Sequence, residues 1–202
     1  MSKSYTILLK KIGLYRYVSA LDTITMIERT FRRSKLNLCY TEGYHPKPKF
    51  SYIDPVPTGV IDLAFYLNAF FNETYETDYI FEKIKSVQPK HLKIENVFAN
   101  TINFSEINKF QFSLIIKKPF KFDRRQIIEK KTKRGIRLIS LENLENVEIF
   151  EKKDYIVLNY IIGKVNLFNP YQLSDNVYLA IRKEAFIDNI PLSKLLNKSD
   201  EV

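Results

Sequence analysis

Tryptophan is absent from this 202-residue chain, cysteine occurs once, and histidine twice. Each scarcity excludes something. A single cysteine, Cys39, forbids an intrachain disulfide, a cysteine-based zinc site and an iron–sulfur cluster of the chain's own. Set between Leu38 and Tyr40, Cys39 reads as a small buried hydrophobe. Two histidines, His45 and His91, lie far apart and have no ligand spacing between them, so no metal is expected. The five glycines, Gly13, Gly43, Gly59, Gly135 and Gly163, do not cluster. Without a cluster there is no P-loop, dinucleotide fingerprint or nucleophile elbow, and no cofactor is expected. No apolar run reaches the roughly 18 residues of a membrane-spanning helix. Met1 to Gly13 also lacks the apolar core and cleavage site of a secretory signal. The expectation is a cytoplasmic protein with no membrane partner.

What the chain has in excess is positive charge. It carries 32 Lys and Arg against 23 Asp and Glu, for a net +9. The excess is local. The first fifty residues hold ten basic and three acidic side chains, and residues 101–150 hold eleven and six. The second fifty are acidic, and the remainder balances. A fold that keeps two such basic segments has a polyanion as its default partner, most often nucleic acid. The competing reading is a lysine-rich composition with no local purpose.

Hydrophobic periodicity gives an order of elements. Tyr5–Lys11 reads as a strand, bent or bulged at Gly13 and resumed over Tyr15–Val18. Ser19 opens a helix with Asp22 in its first turn. Leu21, Ile24, Ile27 and Phe31 form its apolar stripe. Short strands are expected at Leu38–Thr41 and Phe50–Ile53, a long one at Val60–Phe71, a helix at Tyr75–Val87 and a strand at Leu92–Ile102. That is the split βαβ order. The second half reads the same way, with strands at Phe110–Lys117, Ile136–Asn143 (continued by Val147–Phe150), Tyr155–Gly163 and Val177–Ile187. A charged helix over Phe122–Lys133, a helix over Asn169–Asn176 and a short terminal helix over Ile190–Lys198 complete it. The fold class expected is α+β: two packed ferredoxin-like (βαββαβ) halves, residues 1–104 and 105–202. A single larger α+β domain is the alternative.

The chemistry concentrates in Tyr15–Gly59. Arg16 precedes the helix, and Arg29, Arg32 and Arg33 share one of its faces at spacings of three and four. Arginine offers phosphate a planar, bidentate fork. Pro46 and Pro48 stiffen the loop that follows, which carries Tyr44, His45, Lys47 and Lys49. Tyrosines there suit base stacking. The structural alternative pairs Arg29 or Arg32 with Asp22, Glu28 or Glu42. Asp22 reads as a capping acid. His45 is the one candidate acid or base, because its pKa is near neutral and it sits on a loop. His91 reads as surface. A second basic cluster, Lys117, Lys118, Lys121, Arg124, Arg125, Lys130, Lys131, Lys133, Arg134 and Arg137, falls around the expected second-half helix.

Several short motifs occur in one order: Gly13-x-x-Arg16-Tyr17-x-Ser19-x-Leu21-Asp22, Glu28-Arg29, Arg32-Arg33, Gly43-Tyr44-His45-Pro46-x-Pro48 and Pro55-x-Pro57-x-Gly59. Together they resemble the N-terminal half of the radical-SAM-linked protein family, a domain found fused to radical SAM enzymes or alone. Ala20 and His45 stand where that family usually has histidine and asparagine. The resemblance implies a cytoplasmic protein connected with radical SAM enzymes or RNA metabolism. The resulting expectation is an RNA-binding accessory or adaptor that presents tRNA or rRNA to a modifying or processing enzyme, through Arg16, Arg29, Arg32, Arg33, Tyr44, His45, Lys47, Lys49, Arg124 and Arg125. One alternative is a metal-independent endoribonuclease using His45. Another is a protein-interaction domain for an acidic partner.

Overall fold

The computed structural model describes residues 3–133 and 135–197. The chain divides into two compact units. The first is built from the chain up to Glu106 together with the segment from Leu192 onward, and the second from Ile107–Pro191.

The first unit contains β1 (Lys3–Lys11), α1 (Ala20–Arg33), β2 (Phe50–Tyr52), β3 (Ile61–Phe71), α2 (Thr77–Lys85) and β4 (Leu92–Phe98). This is the βαββαβ order. Its strands lie in the order β4-β1-β3-β2, each neighbouring pair antiparallel. A strand's side chains alternate between faces, so odd-numbered residues Ile7, Leu9, Leu67 and Phe71 share one face. Ile27 and Phe31 of α1 and Ile80 and Ile84 of α2 join the same core. α3 (Leu192–Asn197) also belongs to this unit, with Leu192 and Leu196 buried. Lys198, the expected end of that helix, lies outside the described residues.

Three local readings of this half need correction. The stretch after Gly13 is a 3-10 turn over Gly13–Tyr17 rather than a resumed strand. Gly13 sits at φ +56, which folds the chain over before α1. The Leu38–Thr41 strand is reduced to two isolated bridges, Leu38 to Phe71 and Tyr40 to Pro48. The buried stripe of α1 is Thr23, Ile27, Thr30 and Phe31, while Leu21 is 77% exposed. The threonines are burial-competent because each hydroxyl donates to a carbonyl one turn back. Thr23 Oγ1 reaches Ser19 O at 2.7 Å and Thr30 Oγ1 reaches Met26 O at 2.8 Å.

The second unit is built of strands, with no α-helix among its described residues, so the paired ferredoxin-like halves are not what the structure shows. Its strands are β5 (Lys109–Lys117), β6 (Ile127–Thr132), β7 (Gly135–Ser140), β8 (Leu144–Glu151), β9 (Tyr155–Gly163), β10 (Val177–Ile187) and β11 (Ile190–Pro191). Five of them form the antiparallel order β11-β10-β5-β9-β8, and β6 with β7 makes a separate two-stranded ribbon. Phe110, Phe112, Leu114 and Ile116 of β5 are buried, as are Ile156, Leu158, Tyr160 and Ile162 of β9. The Tyr160 ring stacks between Phe112 and Phe168, with centroids 5.7 and 6.3 Å away.

The segment expected to be a charged helix, Phe122–Lys133, is therefore a loop followed by β6, one strand of the β-ribbon. Thr132 pairs with Gly135 across its tip, and Gly135 has φ +120. The helix expected over Asn169–Asn176 is a single 3-10 turn, Pro170–Gln172, capped by Asn169. Among the described residues no helix is long and apolar enough to cross a membrane.

Candidate nucleic-acid interface

Ser19 starts the site by fixing where α1 begins. Its Oγ accepts from the Asp22 backbone N–H at 3.1 Å and donates to Asp22 Oδ2 at 2.7 Å. Asp22 is thus a capping acid and is occupied as such. From that start, Ile27 and Phe31 face the core, and the rotation of the helix turns Met26, Arg29 and Arg33 to another side.

Arg29, Arg32 and Arg33 line one groove of about 570 Å³, together with Tyr15, Met26, Val87, Gln88 and Pro89. One wall is α1. The other is the loop leaving α2, pinned where Gln88 Oε1 accepts from the Ile94 backbone N–H at 2.6 Å. Tyr15 closes the groove from the 3-10 turn, its ring edge-on to His91 at 5.4 Å. His91, expected on the surface, is half-buried: a Cβ built on Gly13 would lie 2.7 Å from its Nδ1.

Among the described residues no carboxylate forms an ion pair with the three guanidinium groups. The ion pairs among the described residues involve Lys10, Lys85, Lys109 and Lys118. The expected alternative, in which Asp22, Glu28 or Glu42 pairs with Arg29 or Arg32, does not occur there. Arg32 instead lies over the Tyr40 ring, 5.5 Å from its centroid.

Tyr40 leads into the loop that carries the other candidates. Thr41 N donates to Lys47 O at 2.8 Å and Lys47 N to Thr41 Oγ1 at 3.1 Å, which closes the loop at its base. Tyr44 stands at its tip, 96% exposed, with the His45 ring edge-on at 5.3 Å. His45 and Lys47 are exposed, and His45 has no hydrogen-bond partner among the described residues. Lys49 packs over Phe70, 5.2 Å from its centroid. Arg16 lies apart from the groove's lining. Its guanidinium donates to Tyr17 Oη at 2.6 Å and stacks on that ring. Cys39 is half-buried, and its thiol donates to Asn72 Oδ1 at 3.1 Å.

Arg124 and Arg125 belong to the second unit, in the segment before β6. Arg124 donates to Leu144 O at 3.0 Å, and Arg125 N donates to Asp123 Oδ1 at 2.9 Å. Lys130 and Arg137 pair across the ribbon, and Lys130 donates to Leu167 O at 2.7 Å. Arg134 of this cluster lies outside the described residues. The second basic cluster is therefore borne on a loop and a ribbon, and does not repeat the helical face of α1.

A smaller cavity of about 180 Å³ lies beside the start of α1, lined by residues that include Lys11, Tyr52 and Asp54. The Tyr52 hydroxyl is buried without a hydrogen-bond partner among the described residues. Burial, and then the negative charge of Glu28, push its pKa well above the usual tyrosine value. Tyr52 thus keeps its proton at neutral pH and is a poor general base.

Sequence reasoning missed Tyr15, Met26, Gln88 and Pro89 as lining. Only the fold brings the loop after α2 to α1. No curated protein matches the chain. A family profile does match, over residues 4–133, running through the whole motif-bearing stretch and on into β6 of the second unit. The chain belongs to that family, described as an uncharacterized protein conserved in bacteria (DUF2344).

Proposed function

We propose that the protein is an RNA-binding accessory factor whose arginine groove grips the phosphate backbone. The observation that carries this is three arginines of one helix lining one groove with no acidic partner among the described residues. Like charges at helical spacings of three and four repel by a few tenths of a kcal/mol per pair. A fold that holds them unpaired has a use for the field they make. The groove's volume is in the range of nucleotide-sized ligands. Tyr15, Met26 and Pro89 give it apolar and aromatic walls, which suit a phosphate attached to a ring better than a bare ion. Tyr44 and Lys47, on the closed loop beyond Tyr40, extend the surface available to a strand.

The resemblance to radical-SAM-linked proteins supplies the second partner in this proposal: a radical SAM or other RNA-modifying enzyme to which tRNA or rRNA is presented. The chain's single cysteine means the cluster chemistry belongs to that partner.

The test is the salt dependence of tRNA and rRNA-fragment binding. Arg32→Glu with Arg33→Glu is expected to weaken binding at low salt and to lower the slope of log affinity against log salt by about one per arginine. An unchanged slope sinks the proposal. If the purified chain instead cleaves the RNA and His45→Ala abolishes cleavage while binding survives, the protein is a nuclease.

A further inference from the structure

A second cleft, in the second unit, has a different character. It has a volume of about 580 Å³ and is lined by Ile115, Lys117, Lys118, Asp154, Tyr155 and Tyr178. These residues come from the ends of three strands: β5 closes there, and β9 and β10 begin. Lys117 and Tyr155 are direct partners in the β5–β9 register. Backbone bonds lock the three ends together. Lys117 N donates to Asn176 O at 2.9 Å, Lys118 N to Asp154 O at 3.1 Å, and Lys152 N to Tyr155 O at 2.9 Å.

Two aromatic rings lie open in this rigid frame, Tyr178 58% exposed and Tyr155 39% exposed. Neither ring belongs to the unit's buried aromatic core, which includes Phe110, Phe112, Tyr160 and Phe168. The cations differ in status. Lys118 is paired with Glu151 at 3.1 Å. Lys117 has no carboxylate partner among the described residues, and its Nζ lies 5.0 Å from the centroid of the Tyr178 ring. Asp154 disfavours a bare phosphate in the cleft. The affinity has to come from the rings and the apolar side chain of Ile115, with Lys117 turning from the Tyr178 ring to meet one phosphate.

We infer that this cleft is a stacking site for one or two unpaired bases of single-stranded RNA, with Tyr155 and Tyr178 as the platforms and Lys117 on the adjoining phosphate. Sequence-tolerant stacking on aromatic side chains beside a basic group is how single strands are held without base-specific readout. The inference adds a site to the RNA reading of the arginine groove but rests on none of the same residues.

The test uses the full chain and a short, unstructured, fluorescently labelled oligoadenylate, read by anisotropy. Tyr178→Ala and Tyr155→Ala are each expected to weaken binding about tenfold, and Tyr→Phe at either position to restore it. The salt slope should stay that of the unsubstituted protein, because the alanine variants remove stacking and no charge. Ultraviolet crosslinks should map to the peptides that begin β9 and β10. Both tyrosines are partly exposed, and unchanged circular dichroism confirms that the variants fold. Alanine variants with unchanged affinity, or crosslinks found only elsewhere, overturn the inference and leave the cleft to a protein partner. The two proposals fail separately. If Arg32→Glu with Arg33→Glu lowers the salt slope while the tyrosine variants do nothing, the groove stands and the stacking site falls. The opposite pattern removes the groove and keeps the cleft.

Discussion

Gly13 is held by two constraints at once. Its φ of +56 lies in the left-handed region, and a Cβ there would meet the His91 imidazole at 2.7 Å. Tyr15 packs edge-on against the ring and limits how it can turn away, while Ile12 N donating to His91 O at 2.9 Å fixes the His91 backbone. Gly13→Ala should therefore destabilise the first unit by about 1–3 kcal/mol, seen as a lower urea midpoint with an unchanged m-value. Because Tyr15 lines the arginine groove, the same substitution should also weaken the RNA binding proposed for that groove. A Gly13→Ala protein of full stability would show that the turn relaxes at no cost. The arginines make a different kind of residue-scale point. Their positions were readable from spacing alone, since residues three and four apart on a helix are neighbours whatever the fold. That Arg32 would also lie over Tyr40 was not, because that contact depends on the path of the chain after the helix.

At the scale of elements, α1 is set by its cap. Ser19 satisfies a helix N–H and Asp22 adds a carboxylate at the positive end of the helix. Ser19→Ala is expected to cost about 1 kcal/mol, or about 2–4 °C in Tm for a chain of this size. Asp22→Asn should cost less, because the backbone bond to Ser19 Oγ survives. A thermal melt of the two variants settles the order, and an Asp22→Asn loss larger than that of Ser19→Ala would give the acid a role beyond the cap. The cap was legible because its signal is local. β9 and β10 were legible to the residue for a related reason: long alternating or apolar runs permit few other readings. β7 was read as a strand, but its partner β6 was misread as helix because that stretch is dense in Lys and Arg, good helix formers with weak strand propensity. The deciding signal was Gly135, which turns the chain with a positive φ and lets Ile128 and Ile139 pair across the ribbon. Both isoleucines are buried. The α1 stripe was half right: Ile27 and Phe31 are buried as expected, but Thr23 and Thr30 are buried where Leu21 and Ile24 were expected to be. A hydropathy pattern scores Leu21 as core and Thr23 as surface, and it has no sight of a hydroxyl bonded to the carbonyl one turn back.

At the scale of the molecule, the first unit is completed by chain from far along the sequence. Element order in the first half read correctly because each helix and strand there follows its neighbour. The same logic, extended to the end, made the last helix part of a second repeat. It belongs to the first unit, and Leu192 and Leu196 are 0% and 1% exposed. A six-residue helix has too few turns to be stable on its own, so burial of those leucines is what holds it. Leu196→Ala should cost about 2–5 kcal/mol, the usual range for a leucine truncated in a packed site. The location of the effect is the sharper part of the prediction. Hydrogen exchange should rise in β1, β3 and β4, far away along the chain, before it rises in β10, the long strand that precedes the helix in sequence. The RNA binding proposed for the arginine groove should weaken in step with the loss of structure around α1. Exchange that rises first in the second unit would place the helix there in energetic terms and return it to the repeat it was first read into.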